Sequence, residues 1–341
     1  MNSKAVRAAW GLLGAVLVFA PFFVGVSQVT GLQRVLYLAV AVMSLNVLTG
    51  FNGQASIGHS AFMGMAAYVT ALAVQNSGWS YWAALPVSVL VAAAVGALAG
   101  IPALRIKGMN LALVTLGLAM VFPQIPIRFT EQTGGTQGLT VDAGLAAPAA
   151  LGISDVAWRY WVLLALAAGA FWLVRNVRAS RLGRAVVAIR DQPLAAHTAG
   201  VNVPFTKIAV FAASAGMAGL AGWMFTVSNQ FVSPGDFSVL VSINLLLGMA
   251  VGGSGTLAGP ILGAAFLYYV PDLTAGTGLD PLLTPAVYGL VLILVTYFLP
   301  GGAAGALSSL TSRLTRPPEP PPAPPTAGDG GTPLVSSTRT P

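Results

Sequence analysis

The sequence has no cysteine, two histidines and few charged residues, and each scarcity excludes a kind of chemistry. Without cysteine, the 341-residue chain forms no disulfides and offers no thiolate as nucleophile or metal ligand. His59 and His197 are too few for a multi-histidine metal centre. Charged side chains make up 7% of the residues, against about 25% in soluble globular proteins. This composition excludes an ordinary soluble domain.

Apolar residues dominate what is present. Hydrophobic side chains account for 56% of the sequence and the mean hydropathy is +0.79, which indicates an integral membrane protein surrounded by lipid. The formal net charge of +7 could suggest a nucleic-acid partner. Positive residues that flank membrane spans explain the same excess more simply, so we expect no nucleic acid.

Long apolar stretches predict the spans. A spanning helix needs about 20 mostly apolar residues. Ten stretches meet this requirement: 8–27, 32–50, 59–76, 82–101, 108–128, 159–175, 205–228, 238–254, 256–272 and 283–300. The two stretches around Gly252–Gly263 could instead be one span plus a re-entrant segment. We therefore expect eight to ten transmembrane helices in an all-α polytopic fold.

The distribution of positive charge predicts the orientation. With ten alternating spans and a cytoplasmic N-terminus, 13 of the 16 lysines and arginines fall on the cytoplasmic side. Both termini are then cytoplasmic, as is the arginine-rich segment 178–202. We divide the chain into an N-terminal transmembrane helix (1–30), a transmembrane domain (31–302) and a proline-rich, disordered cytoplasmic tail (303–341).

A polar, glycine-rich stretch joins the second and third spans. It reads "LNVLTGFNGQASIGHSAFMGMAAY" and contains amides, hydroxyls and a histidine but no charge. Polar groups at membrane depth need partners, or they line a watery cavity. Two interpretations stay open, namely a turn with small residues for helix packing and part of a translocation path. His59 by itself is typical of a hydrogen-bonded packing residue.

A second stretch, "LLLGMAVGGSGTLAGPILGAAF", carries regularly spaced glycines. This spacing lets helices approach closely in lipid, and a hinge at Gly259–Pro260 is the alternative. "NVLTG" (46–50) resembles "NLLLG" (244–248), which hints at an internal duplication. The residues predicted for packing or hinge motion are Gly248, Gly252, Gly255, Gly259, Pro260 and Gly263.

The arginine-rich segment is also rich in alanine. Between Gly183 and Gly200 the pattern predicts a short helix that is interrupted at Pro193 and capped at Gly200. A shallow apolar face with a charged rim is suited to docking in a groove of another protein. The alternative is a solvated charged loop.

The sequence contains no motif that we recognise for ATP hydrolysis or for ion-coupled transport. None of its three lysines lies in a phosphate-binding loop, and no predicted span has an internal Asp or Glu of the kind that ion-coupled transporters use. No nucleophile–base pair or metal site can be assembled, so an enzyme is not expected. These features favour a transporter subunit driven by separate ATPases. An autonomous secondary transporter or channel, or a structural subunit, remains the rival.

Five motifs in order resemble the permeases of branched-chain amino-acid ABC importers, the LivM type. The resemblance covers about residues 30–300. The motifs are the stretch 45–68 quoted above, "LRIKGMNLALVTLG" (104–117), "TGGTQGL" (133–139), "SRLGRAVVAIRDQPLAAHTAGV" (180–201) and "GGSGTLAGPILGA" (252–264).

The resemblance implies a permease of the bacterial inner membrane that pairs with a second, related permease, two cytoplasmic ABC ATPases and a periplasmic solute-binding protein. ATP would be bound by the partners, and this chain would need no cofactor or metal. The solute would be a branched-chain or other small amino acid, while similar permeases carry urea or short amides. In this family a cytoplasmic loop docks on the ATPase.

Two sets of residues follow for the predicted importer. The ATPase-coupling loop comprises Arg184, Ala188, Asp191, Leu194, Ala195, Ala196 and Gly200, with Leu194 where the general loop motif has Glu. The translocation path comprises Asn46, Asn52, Gln54, His59, Ser60 and Thr115.

Overall fold

α-Helices form nearly all of the regular structure. The computed structural model describes residues 17–105, 109–276, 289–290, 293–294, 297 and 301–306. Residues 17–23 are helical, and a π-helical turn (Asn46–Phe51) follows the first complete helix. The elements are α1 (Val26–Leu45), α2 (His59–Gln75), α3 (Tyr81–Gly100), α4 (Pro102–Arg105), α5 (Met109–Val121), α6 (Gln124–Arg128), α7 (Thr130–Thr133), β1 (Leu139–Thr140), α8 (Asp155–Ala179), α9 (Arg181–Asp191), α10 (Pro193–Thr198), α11 (Val203–Asn229), β2 (Phe231–Val232), α12 (Val239–Gly252) and α13 (Gly259–Gly276).

The long apolar helices confirm the all-α polytopic prediction. Within the described residues, five stretches are long and apolar enough to cross a membrane. Two predicted spans are shorter helices, α2 with 17 residues and α12 with 14. The five stretches are Val26–Phe51, Tyr81–Gly100, Asn110–Arg128, Asp155–Ala179 and Val203–Asn229.

Several predictions fall on residues that the structure does not describe. Residues 8–16 of the predicted span 8–27, most of the predicted span 283–300 and nearly all of the tail 303–341 lie outside the described residues. The orientation of the termini therefore stays a prediction. α13 runs to Gly276, beyond the predicted end at 272, so Asp272 lies inside the helix rather than at its end.

Local capping sets where three long helices begin. Ser80, Ser154 and Asn202 precede α3, α8 and α11, and each side-chain oxygen accepts the N–H three residues later at 3.1 to 3.3 Å. Such bonds satisfy backbone donors that have no partner inside the helix. The serine and asparagine positions thus fix the helix starts.

α11 lies at the centre of the bundle. It packs against α1, α2 and α3, and its Phe211 and Trp223 are fully buried. Trp223 Nε1 donates to the Tyr81 carbonyl at 2.9 Å, which satisfies the polar end of a buried indole. Many of its other core positions are alanine or glycine, and these let neighbouring helices come close.

The bundle has two distinct ends. At one end, the β end, β1 pairs antiparallel with β2, so Leu139 lies opposite Val232. At the other end, the α9 end, lie α9, α10 and two non-helical turns that follow the π-helical turn and α12. α11 runs between the ends, from Asn202 beside α10 to Gln230 beside β2.

Candidate functional site

The first turn, residues 52–58, interrupts the bundle between the π-helical turn and α2. Its backbone is not helical, yet Asn52, Gln54 and Ser56 are buried. Gly53 N donates to the Thr49 carbonyl at 3.1 Å, and Gln54 N donates to the Leu48 carbonyl at 3.2 Å. Irregular backbone is tolerated within a membrane protein where the protein itself covers it. The first turn meets that condition.

The second turn, residues 253–258, has the same construction between α12 and α13. Gly53 and Gly253 both have positive φ, 71° and 110°. Three residues later each turn has a hydroxyl, Ser56 or Thr256, and three residues after that the next helix begins. Thr256 Oγ1 accepts from Gly259 N at 3.0 Å, and Ser56 Oγ lies 3.4 Å from Gly58 N as its acceptor. The two turns thus share a positive-φ glycine and a hydroxyl at the same spacing before the next helix.

Asn46 lies in the π-helical turn that leads into the first turn, and it joins that segment to the second turn. Its Nδ2 donates to the Thr256 carbonyl at 2.7 Å, and its Oδ1 accepts from Gly255 N at 2.8 Å. Gly50 lies beside this contact, where a Cβ would come within 2.8 Å of Gly255 N. The first and second turns, called the paired turns below, therefore form one unit although they are some 200 residues apart in sequence.

His59 is held in a chain of hydroxyl groups. Ser214 Oγ donates to the Ser44 carbonyl at 2.6 Å, so the hydroxyl can only accept from His59 Nε2, at 2.8 Å. His59 Nδ1 is then the acceptor for Ser56 Oγ, at 3.1 Å. Both ring nitrogens of the neutral imidazole are satisfied. His59 has the hydrogen-bonded packing environment that the sequence predicted.

Ser60 and Thr115 tie the start of α2 to other helices. Ser60 N donates to Ser242 Oγ at 3.0 Å, and the Ser242 hydroxyl donates to Ser60 Oγ at 2.7 Å. Ile57 N donates to Thr115 Oγ1 at 2.9 Å, and that hydroxyl donates to the Ala112 carbonyl at 3.0 Å. The structure thus gathers the predicted path residues around the first turn.

Asn52 and Gln54 differ from these neighbours. Their side chains are 3% and 6% exposed, and neither the amide nitrogen nor the amide oxygen of either has a hydrogen-bond partner. A buried polar atom without a partner costs about 1–3 kcal/mol. Native proteins contain few such atoms, and these four lie within three consecutive residues. The first turn therefore holds unused hydrogen-bonding capacity.

The glycines predicted for packing lie at the contact of α12 with α13. A Cβ on Gly252 would collide with the Gly259 carbonyl, and a Cβ on Gly263 would collide with the Gly248 carbonyl. Pro260 is buried in the first turn of α13. Gly255, with φ 73°, lies in the second turn itself. Close backbone contact thus needs glycine at Gly252 and Gly263.

The predicted coupling segment is two short helices with a break between them. α9 ends at Asp191, Gln192 has extended backbone, and α10 begins at Pro193. Gly200, with φ 84°, closes the segment. The exposed predicted coupling residues are Arg184, Ala188, Asp191, Leu194, Ala195 and Gly200.

Ala196 is placed differently from the other coupling residues. It is 4% exposed, whereas Leu194 two positions earlier is 78% exposed. Val201 N donates to the Ala196 carbonyl at 3.0 Å, which holds the end of the segment against α10. Ala196 thus packs inward, and Leu194 and Ala195 are the ones presented to the outside.

α9 attaches to the paired turns through an apolar cluster. Val186 of α9 packs with Phe51 and Met43, and Leu257 of the second turn borders the same cluster. The guanidinium of Arg178 lies 5.0 Å above the Phe51 ring, within the range of a cation–π contact. α9 thus shares one apolar cluster with the π-helical turn and the second turn.

Arg190 makes the polar contact that the sequence analysis missed. Its Nη1 donates to the Gly50 carbonyl at 2.7 Å. The buried positions of α9, Gly183, Val186 and Ile189, define its inner face. Arg190 lies four residues after Val186, so helical spacing places it beside that face. This spacing could have indicated that Arg190 makes an inward contact. The sequence analysis missed it because it interpreted all arginines of the segment as topological charge.

In the described part of the chain, no group of three or more His, Asp or Glu side chains is placed to hold a metal ion. The site is built from amides, hydroxyls and backbone groups. Such groups can bind and release a polar solute by hydrogen bonding.

Comparison with known proteins gives a family match. Residues 27–296 match the family model described as "Branched-chain amino acid transport system / permease component". The chain is 30% identical over 289 residues to the high-affinity branched-chain amino acid transport system permease proteins LivM of Salmonella typhimurium and of Escherichia coli K12. These alignments cover 76% of this chain and 67% of each relative.

The chain is also similar to a permease whose name gives a different solute. The autoinducer 2 import system permease protein LsrC of Enterobacter sp. strain 638 is 31% identical over 306 residues, which cover 85% of this chain and 82% of LsrC. No solved structure matches the chain.

Proposed function

Since the chain belongs to the permease components of branched-chain amino-acid transport systems, we propose that it forms the membrane path of an ABC importer for small amino acids. A multi-pass permease component of ABC transport systems is a carrier of solute and not a catalytic enzyme. Its predicted location is the bacterial inner membrane. Large apolar side chains on the outside of the bundle, such as Leu90 and Trp172, suit contact with lipid.

The amides of Asn52 and Gln54 carry the proposal for the path. They are buried in the paired turns without partners, so a passing solute could supply the missing hydrogen bonds. The predicted path residues around them are all uncharged. Such a lining suits a solute that is polar but has no net charge, including the zwitterion of a neutral amino acid. The roles of Asn46, His59, Ser60 and Thr115 would be to hold the first turn in place.

α9 and α10 would receive the motion of the ATPases. Leu194 and Ala195 present a small apolar surface, with Arg184 and Asp191 exposed nearby on α9. A partner groove could accommodate this surface. The full assembly would contain a second permease, two cytoplasmic ABC ATPases and a periplasmic solute-binding protein. Those ATPases would bind the nucleotide, and this chain would need no cofactor or metal.

The relatives leave the solute class to be determined. LivM serves branched-chain amino acids by its printed name, whereas LsrC serves autoinducer 2. We favour a small amino acid because the description of the matching family and the names of both LivM relatives refer to branched-chain amino acids. Urea or a short amide is the alternative within the importer class, since these also have no net charge. An autonomous secondary transporter or channel would move solute without ATPases.

Reconstitution tests the proposal directly. The chain, purified with its partner subunits and placed in proteoliposomes with a binding protein, should take up labelled leucine only when ATP is present on the ATPase side. Competition by unlabelled valine, urea, acetamide and autoinducer 2 then ranks the solute classes. Uptake by this chain alone, without ATPases, would contradict the importer assignment.

A further inference from the structure

Arg190 lies where α9 meets the paired turns. Its Nη1 is 2.7 Å from the Gly50 carbonyl oxygen and 3.7 Å from the position that a Cβ on Gly255 would take. Its Cγ lies 3.0 Å from the corresponding position on Gly53. One side chain of α9 therefore touches the π-helical turn, the first turn and the second turn at once.

The end of a helix makes the Gly50 carbonyl available to this contact. Gly50 is the second-to-last residue of the π-helical turn, and the last carbonyls of a helix have no N–H partner further along it. A guanidinium donor forms a charge-assisted hydrogen bond, which is stronger than a bond between neutral groups. Arg190 thus stabilises a helix end that would otherwise need water or another donor.

The Arg190 side chain, although exposed, also packs over Gly53 in the turn that holds the unused amides. Gly53, over which its Cγ packs, lies between Asn52 and Gln54 in sequence. Their four polar atoms lack partners in this arrangement, which is unfavourable. An arrangement in which water or solute reaches them would relieve that cost. The unpaired amides of Asn52 and Gln54 therefore favour opening of the paired turns, and the contacts of Arg190 oppose it.

We propose that Arg190 is a positioning residue that holds the paired turns closed, and that its withdrawal with α9 gives solute access to the amides of Asn52 and Gln54. This proposal rests on the proposed function, because it takes α9 and α10 as the segment that the ATPases move. Loss of one charge-assisted bond should shift the balance of closed and open forms by about tenfold to a hundredfold.

Thiol reactivity measures that balance. Because the chain has no cysteine, Asn52→Cys introduces its single thiol, and Gln54→Cys provides a second reporter. In the assembled importer without ATP, labelling of this chain by a membrane-impermeant maleimide should be slow. Adding Arg190→Gln should speed labelling about tenfold or more. Arg181→Gln replaces a second arginine of the same helix that is exposed, as Arg190 is, and it is the matched control that should leave the rate unchanged.

Transport separates a positioning role from a merely structural one. Arg190→Gln should raise the ATP hydrolysed per solute imported and the passive leak of solute without ATP. Arg190→Lys, which keeps the charge, should give intermediate values and provides the test if Arg190→Gln does not insert. A structural defect would instead lower uptake and hydrolysis together, in proportion to the assembled protein.

Two results would overturn the proposal. One is equal labelling of Asn52→Cys in the Arg190, Arg190→Gln and Arg181→Gln backgrounds. The other is a proportional fall of uptake and hydrolysis in both Arg190 variants, with no rise in leak. Failure of the unmodified assembly to import solute with ATP would refute the proposed function instead, and the labelling comparison would still decide whether Arg190 holds the turns closed.

Discussion

The first and second turns share the spacing of a glycine and a hydroxyl, and they differ in how completely their polar side chains are used. In the second turn, Thr256 Oγ1 donates to the Gly253 carbonyl at 2.8 Å and accepts from Gly259 N at 3.0 Å. In the first turn, the side-chain amides of Asn52 and Gln54 have no hydrogen-bond partners. The residue before Gly253 is Gly252, at the end of α12, and it packs closely against the backbone of α13. The second turn is thus closely packed with its polar groups paired, whereas the first turn keeps hydrogen-bonding groups without partners.

The largest effect should come from filling the backbone contact beside the second turn. Gly252→Ala places a Cβ against the Gly259 carbonyl, so we expect a loss of about 3 kcal/mol or more in unfolding free energy. Thermal unfolding in detergent measures it. Gly117→Ala is the control, because a Cβ there meets nothing within 4 Å. Equal stability of the two variants would show that the contact has room to adjust.

Separating the two turns should have the next largest effect. Asn46→Ala removes both bonds to the second turn and leaves Gly255 N and the Thr256 carbonyl without this partner. We expect a loss of about 2–4 kcal/mol. Asn176→Ala, at an exposed position of α8, should change the unfolding temperature little. A small loss for Asn46→Ala would mean that water replaces the amide and that the turns are not strongly joined.

Replacing a polar side chain by an apolar one should change the stability in opposite directions in the two turns. Thr256→Val removes a cap of α13 and should lower stability by about 1 kcal/mol, with uptake falling only in proportion. Asn52→Leu removes unpaired polar atoms and should leave stability unchanged or raise it by about 1 kcal/mol, while uptake falls several-fold. Unfolding and ATP-dependent uptake are measured on the same preparations. Unchanged uptake by Asn52→Leu would remove Asn52 from the path.

The smallest effect on stability is expected at the exposed surface of α10. Ala195→Arg should change unfolding free energy by no more than about 0.5 kcal/mol, because Ala195 is exposed. It should nevertheless abolish co-purification of the ATPases and uptake. Ala196→Arg, at the neighbouring buried position, should lower stability as well. Normal uptake by Ala195→Arg would contradict docking at this surface.

The sequence predicted features that depend on local pattern. Apolar stretches indicated the long helices, Pro193 and Gly200 marked the break and the end of the coupling segment, and the glycine spacing marked the contact of α12 with α13. Each depends on residues that lie within a single continuous segment of the sequence. The assignment of individual residues to coupling or path stays a prediction.

Features that depend on distant residues were not predictable from one sequence. The contact of Asn46 with Thr256 spans 210 positions, and nothing in either motif names the other as its partner. The resemblance of "NVLTG" to "NLLLG" pointed to a duplication, but the equivalent positions in the structure begin at Gly53 and Gly253. The role of Arg190 was not predicted because all arginines of segment 178–202 were interpreted as topological charge. Arg190 also donates a hydrogen bond to the Gly50 carbonyl.

α11 links the two ends of the molecule mechanically. Its 27 residues form an unbroken rod of about 40 Å, since an α-helix rises about 1.5 Å per residue. One end is fixed by the Asn202 cap next to α10, and the other by Gln230, whose side chain accepts from Arg159 Nη1 at 2.6 Å. A stiff lever held at both ends cannot tilt at one without tilting at the other. Under the proposed docking at α10, a displacement there would tilt α11 and move its Gln230 end beside β2.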